Sequence, residues 1–166
     1  MSSKREELLA ELGHQVRRSQ RATDSVDEAV QQLMGVNRTD SRCLDILDER
    51  EQMTAGELAR EARLTTGAIT AVLDRLERAG YVRRVADPSD RRRVLVEPTP
   101  LARRLAWELF GPMVESAQTL LRGYTDEQLQ LFIDFQRLGA ERQEQHAEWL
   151  RARPPLDRDP SGVTAP

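Results

Sequence analysis

This chain has little sulfur, few aromatic rings and almost no lysine. Of its 166 residues one is a cysteine, Cys43, and two are histidines, His14 and His146, far apart in sequence. A lone cysteine excludes an internal disulfide framework. Without a cluster of His and Cys a zinc site has no ligand set to draw on, and neither metal nor cofactor is expected. Aromatic residues make up 4% of the chain, and no apolar run approaches the roughly 20 residues that a membrane-spanning helix needs. The first stretch, "MSSKREELLAELG", is polar, already helical in pattern, and lacks the apolar centre of a signal peptide. A cytoplasmic protein with no membrane partner is expected. One lysine, Lys4, accompanies 24 arginines, which reads mainly as a bias of coding composition. No Gly-rich phosphate loop and no supported Cys/His or Ser/His/Asp arrangement is present, so an enzyme is not expected.

What is there suits one domain, or one domain with an appendage, long enough to bury a core unaided. The chain is 39% hydrophobic and 32% charged, with a formal net charge of −3. That balance argues against a generally basic coat but leaves room for a local basic patch.

Apolar residues from Leu8 to Leu33 recur at spacings near three and four, which predicts a first helix of roughly eight turns. Its middle, "RRSQRATDS", is polar, so its two ends are expected to pack on different things. "GVNRTD" breaks it, and Thr39 is the expected cap of a second helix, "DSRCLDILDE". "TAGE", Thr54 to Glu57, matches a capping box opening a short third helix. A fourth follows in "TTGAITAVLDRLERAG", capped by Thr65 or Thr66 and ended by Gly80, with Ile69, Val72, Leu73 and Leu76 as its buried stripe. "YVRRVAD" and "VLVEP" read as two strands joined by the turn "PSDR". Thr99-Pro100 starts a fifth helix, with a kink expected at Gly111-Pro112. "TDEQ", Thr125 to Gln128, is a second capping box and opens the last helix. Residues 154–166, beginning "PPLDRDPSG", read as a disordered tail.

The fold class is therefore mainly α with a small β-hairpin. Two short helices joined by a tight turn suggest a helix-turn-helix, and the basic-tipped hairpin after them makes it winged. A helix fits the major groove of duplex DNA and reads base edges from its N-terminal residues. Here those are Thr65, Thr66, Gly67, Ala68 and Thr70, small enough for close approach. At the hairpin tip Arg91, Arg92 and Arg93 repel one another unless something anionic lies nearby, such as phosphates or a minor groove. Asp90 stands two residues before Arg92 and is placed to orient it. Each feature also has a plain reading, a capped core helix and a solvated charged turn that discourages edge pairing. Their succession favours a DNA-binding surface. A winged-helix adaptor for protein partners, without specific DNA binding, is the alternative, which the net negative charge mildly favours.

The string "LTTGAITAVLDRLERAGYVRRVADPSDRRRVLVEPTP", within a stretch from about Arg42 to Leu105, resembles the MarR family of bacterial transcription regulators. The resemblance implies a homodimer built from residues 5–35 and 100–150, and a winged helix-turn-helix lobe over residues 40–98 that binds double-stranded DNA. It implies a repressor with a pseudo-palindromic operator and a small-molecule effector that releases it. The family's wing places an Asp two residues before an Arg that enters the minor groove, and Asp90 and Arg92 match. Arg75 matches an arginine of the family's "DRLE" segment, with phosphate contact and bracing of the wing both open. Effector pockets of the family point to His14, Arg17, Cys43 and Trp107, although each also reads as ordinary packing. Two departures stand out. Gly67, Ala68 and Ala71 replace larger polar residues of many members, so base readout is expected to be thin. No cysteine lies in the first helix, where peroxide-sensing relatives carry one, and Cys43 reads as a small core residue.

Overall fold

In a computed structural model the described residues are 3–90 and 92–155. Six helices and three short strands follow in the order α1 (Lys4–Met34), α2 (Arg38–Arg50), β1 (Met53–Thr54), α3 (Ala55–Glu61), α4 (Thr66–Arg78), β2 (Val82–Ala86), β3 (Val94–Pro98), α5 (Pro100–Leu121) and α6 (Asp126–Arg151). The fold is mainly helical with a small antiparallel sheet. These residues form two compact units divided after Pro112, within α5.

The first unit holds α1 to the start of α5. Its centre is built from Cys43, Leu47, Leu58, Ile69, Val72, Leu73, Leu76 and Val96, all essentially inaccessible. The four residues expected on the inner stripe of α4 are among them. Met34, Val36, Leu101 and Leu105 pack on this centre and Ala102 belongs to it. The core of the lobe therefore draws on residues outside the expected bounds of 40 and 98.

The helix ends explain why the chain turns where it does. Asn37, not Thr39, caps α2: its side-chain oxygen accepts from the amides of Thr39 and Asp40, both at 2.9 Å. One Asn carbonyl thus satisfies two orphan donors. Starting the helix at Arg38 also places the Asp40 carboxylate at the positive end of the helix dipole. Thr54 and Glu57 form the expected capping box of α3, Thr65 caps α4, and Thr125 with Gln128 caps α6. After α4, Gly80 adopts φ +78° and the Tyr81 amide donates back to Leu76 O at 2.9 Å. A side chain at residue 80 would strain this left-handed position. The buried Tyr81 donates its hydroxyl to Met34 O at 2.8 Å, satisfying a carbonyl at the end of α1.

The sheet has the order β1-β3-β2. Strands β2 and β3 form the expected hairpin, in register from Val82↔Pro98 to Ala86↔Val94. β1 was not expected. Its two residues pair as Met53↔Val96 and Thr54↔Leu95, too few to show a period of two. Helix α5 runs through Pro112 without a break. Gly111 lets the Trp107 indole lie against the helix backbone, since a Cβ there would stand 3.3 Å from the ring.

Helix α1 is exposed along most of its length. Only Val30 is buried, and Met34 packs on the core. In the second unit α6 buries no residue. Leu131, Phe132, Ile133, Phe135 and Leu138 are all exposed, and Phe132 meets Tyr124 edge-on at 5.3 Å between ring centres. Of the tail, Pro154 and Pro155 lie outside helix and strand, and the expectation of disorder falls otherwise on residues outside those described.

Candidate nucleic-acid interface

Helices α3 and α4 are joined by a turn of Ala62 to Thr65. Arg63 takes φ +55°, and the Leu64 amide donates to Ala59 O at 2.7 Å. That left-handed residue, costly for a side chain larger than glycine, reverses the chain tightly enough to set α4 across α3. With Ile69, Val72, Leu73 and Leu76 buried, the 3.6-residue period leaves Thr66, Gly67, Thr70, Ala71 and Asp74 exposed. The first two turns of the outward face are thus small and uncharged. Thr65 spends its oxygen on the Ala68 amide, and the Thr70 hydroxyl donates to Thr66 O at 2.9 Å. A Cβ at Gly67 would meet nothing within 4 Å.

Further along α4, Asp74 and Glu77 would face any anionic partner with like charge. Arg84 of β2 answers both: one Nη donates to Asp74 Oδ1 at 2.8 Å and the other to Glu77 Oε2. The Asp74 hydrogen bond foremost holds the Arg84 guanidinium still more firmly protonated than usual. This clamp ties α4 to the wing. Arg83, directly opposite Glu97 in the ladder, donates to it at 2.7 Å.

The wing turn is organised by the buried Asp87. Its Oδ1 accepts from the Ser89 hydroxyl at 2.6 Å, the Ser89 amide at 2.8 Å and the Asp90 amide at 3.3 Å. These bonds, the Ser89 hydroxyl first, hold the Asp87 carboxyl below the usual range, with the Arg93 charge adding to them. Beyond it Asp90 accepts from the Arg92 amide at 3.0 Å.

A family model described as "MarR family" matches residues 36–94. An HTH-type transcriptional regulator of Bacillus subtilis, YcgE, is 44% identical over 124 residues, covering 75% of this chain and 80% of its own length. The chain belongs to the MarR family. It is thus a helix-turn-helix transcriptional regulator. A MarR family protein from Bacillus stearothermophilus superposes with a TM-score of 0.60 at 22% identity, over 87% of this chain and 99% of that one. The MepR protein of S. aureus, solved as a complex with DNA, gives 0.55 at 17% identity over 78% and 98%. At these identities the likeness is one of fold.

Within this MarR-family lobe the residues expected to meet DNA separate into distinct environments. Thr65, Thr66, Gly67 and Thr70 lie exposed at the start of α4, and Ala68 is half-buried. Asp90 and Arg92 lie exposed on the wing, Arg92 making no ion pair among the described residues. Arg91 falls outside the described residues. Arg93 turns back, its Nη2 3.2 Å from Glu57 Oε1 and its Nε 3.7 Å from Asp87 Oδ2. Arg75 does not brace the wing. Its guanidinium forks onto the buried Asp40 of α2 at 2.6 and 3.1 Å, because Asp40 needs a partner once buried. The wing brace is Arg84, which the sequence reading passed over. Two carboxylates three residues apart on a helix, with arginines on the next strand, were the available signal. The Asp-Pro-Ser step at Asp87 equally signals an Asx turn.

The four effector candidates lie in different surroundings. His14 and Arg17 are exposed on α1, and the Arg17 guanidinium lies 3.6 Å from where a Gly13 Cβ would be. Trp107 lies on Gly111. Cys43 is fully buried in the core, and burial, then the Asp40 charge, pushes its thiol up to about 11, so it is a packing residue. An open cleft of about 460 Å³ lies between the end of α2, β1 and α3, lined by Arg50, Gln52, Met53, Glu57, Arg60 and Glu61. None of the four candidates borders it. Among the described residues no helix is long and apolar enough to cross a membrane.

Proposed function

We propose that this regulator acts as a homodimer that binds pseudo-palindromic duplex DNA, with the start of α4 in the major groove and the wing alongside it. The observation that carries the reading is the pairing of an uncharged, small-residue face on α4 with an exposed Arg92 on the adjoining wing that makes no ion pair among the described residues. The clamp of Arg84 on Asp74 and Glu77 supports it, since it offsets the acidic groups on the same helix. DNA binding by MepR, a protein of the same fold, is consistent with it. Arg92 supplies a phosphate or minor-groove contact, and the hydroxyl of Thr66 a contact at the base edges.

A second copy is the proposed cover for the exposed apolar residues of residues 5–35 and 100–150. A 26-residue helix with no buried side chain has little to hold it in water by itself. Two-fold symmetry then sets the half-sites about 34 Å apart. Repression is the proposed sign of regulation. An effector that shifts the spacing of the two recognition helices releases DNA with a coupling of roughly 1–3 kcal/mol.

The test is fluorescence anisotropy of the purified protein with the duplex upstream of its own gene and with an unrelated duplex, across a salt series. Selective binding that weakens steeply with salt is expected. Salt-insensitive binding, or none at low salt, returns the adaptor reading.

A further inference from the structure

We propose that Arg93 is a positioning residue for DNA binding and not a phosphate contact: with Glu57 it straps the base of the wing to the start of α3. The proposal rests on the reading of α4 and the wing as the DNA surface. It divides the arginine run, leaving Arg92 to face the nucleic acid while Arg93 faces the protein.

Both ends of the strap sit on fixed backbone. Arg93 closes the wing turn, its amide donating to Asp90 O at 2.9 Å and its carbonyl accepting from the Asp87 amide at 3.0 Å. Glu57 is already aimed by the cap of α3, its Oε2 accepting from the Thr54 amide at 2.8 Å and hydroxyl at 2.7 Å. That leaves Oε1 to receive Arg93 Nη2 at 3.2 Å. Thr54 is itself paired with Leu95, two residues beyond Arg93. A second carboxylate, Asp87 Oδ2, lies 3.7 Å from Arg93 Nε. The guanidinium therefore sits between two carboxylates, whereas Arg92 has none among the described residues. Arg93 and Glu57 are both partly exposed, so the pair adds little to stability. Its effect is to limit where the wing points relative to α3, and so how Arg92 meets the duplex. An idle surface ion pair could be broken with no loss of affinity for DNA, whereas a strap could not.

The experiment measures affinity against salt for the full-length protein and a duplex that the wild type itself selects from a random pool. Variants are Arg92→Gln, Arg93→Gln, Glu57→Gln and the double variant of the last two. Arg92→Gln is expected to lower the salt slope by about one per wing, as loss of a phosphate contact does. Arg93→Gln is expected to weaken binding about three- to ten-fold with the slope unchanged. Glu57→Gln keeps an oxygen for the capping box but ends the ion pair. Removing a carboxylate beside DNA would by charge alone strengthen binding, whereas the strap predicts weakening of the same size as Arg93→Gln. The double variant is then no weaker than either single one. Circular dichroism melts check that each variant folds. A slope loss in Arg93→Gln equal to that in Arg92→Gln overturns the proposal, as does a Glu57→Gln variant that binds as well as wild type or better. If the wild type selects no duplex at all, the DNA reading itself fails, and the strap with it.

Discussion

The lobe around α4 and the long helices α1 and α6 solve the problem of burial in opposite ways. In the lobe, short elements enclose one core of Leu, Ile and Val, and among the described residues no buried side-chain nitrogen or oxygen lacks a partner. In α6 no residue is buried and whole turns of Leu, Ile and Phe lie exposed. The lobe therefore closes a core within one chain, while the long helices are largely polar and leave most of their apolar residues exposed. Stability and assembly are expected to respond to different sets of residues.

The largest effect that would test this contrast is in the lobe. Leu58→Ala, at a fully buried site, is expected to cost about 2–5 kcal/mol in urea unfolding. Leu131→Ala, at a site 66% exposed, is expected to leave the lobe's own unfolding unchanged. Equal losses at both sites would show that the two regions share one core. Next in size is assembly. Phe132→Ser is expected to shift sedimentation from dimer toward monomer while the lobe keeps its circular dichroism. A wild type that sediments as a monomer at micromolar concentration removes the second copy from the account.

Inside the lobe, Asp40→Ala is expected to cost about 1–3 kcal/mol, since it takes two charge-assisted hydrogen bonds from Arg75. Asp40 is buried but Arg75 is partly exposed, so water recovers part of that loss. The smallest effect concerns pH. The carboxyls of Glu57 and Asp87 are both held below their usual values. Their contribution is present above the ordinary carboxylate value near ~4 and is lost as pH falls from there through the lowered values. The thermal midpoint is expected to drop across that window, and Asp87→Asn to flatten part of the drop. A midpoint that rises on acidification contradicts the assigned bonds.

Much of the lobe was legible in the sequence because its signals are local. The capping box at Thr54, the stripe from Ile69 to Leu76, and Gly80 after α4 each depend on residues within a turn or two, as does the capping box at Thr125 outside the lobe. The cap of α2 was read two residues late because Asn37 and Thr39 are both good caps, and only the course of the backbone chooses between them. Pairings across 35 residues, such as Arg75 with Asp40, carry no spacing that a sequence displays. Arg93 with Glu57, 36 residues apart, is another such pairing, whereas Arg84 lies only 7 and 10 residues from its partners, and the carboxylates at Asp74 and Glu77 were the signal for it.

The sequence by itself determined the caps of α3, α4 and α6, which face of α4 is apolar, and that cations gather at one turn. These follow from backbone hydrogen bonding and the 3.6-residue period, which act over short distances. Only the tertiary structure decided which charges are engaged and which are left to meet a partner. An arginine's availability depends on carboxylates brought near by folding, which reach Arg93 and, among the described residues, not the adjacent Arg92.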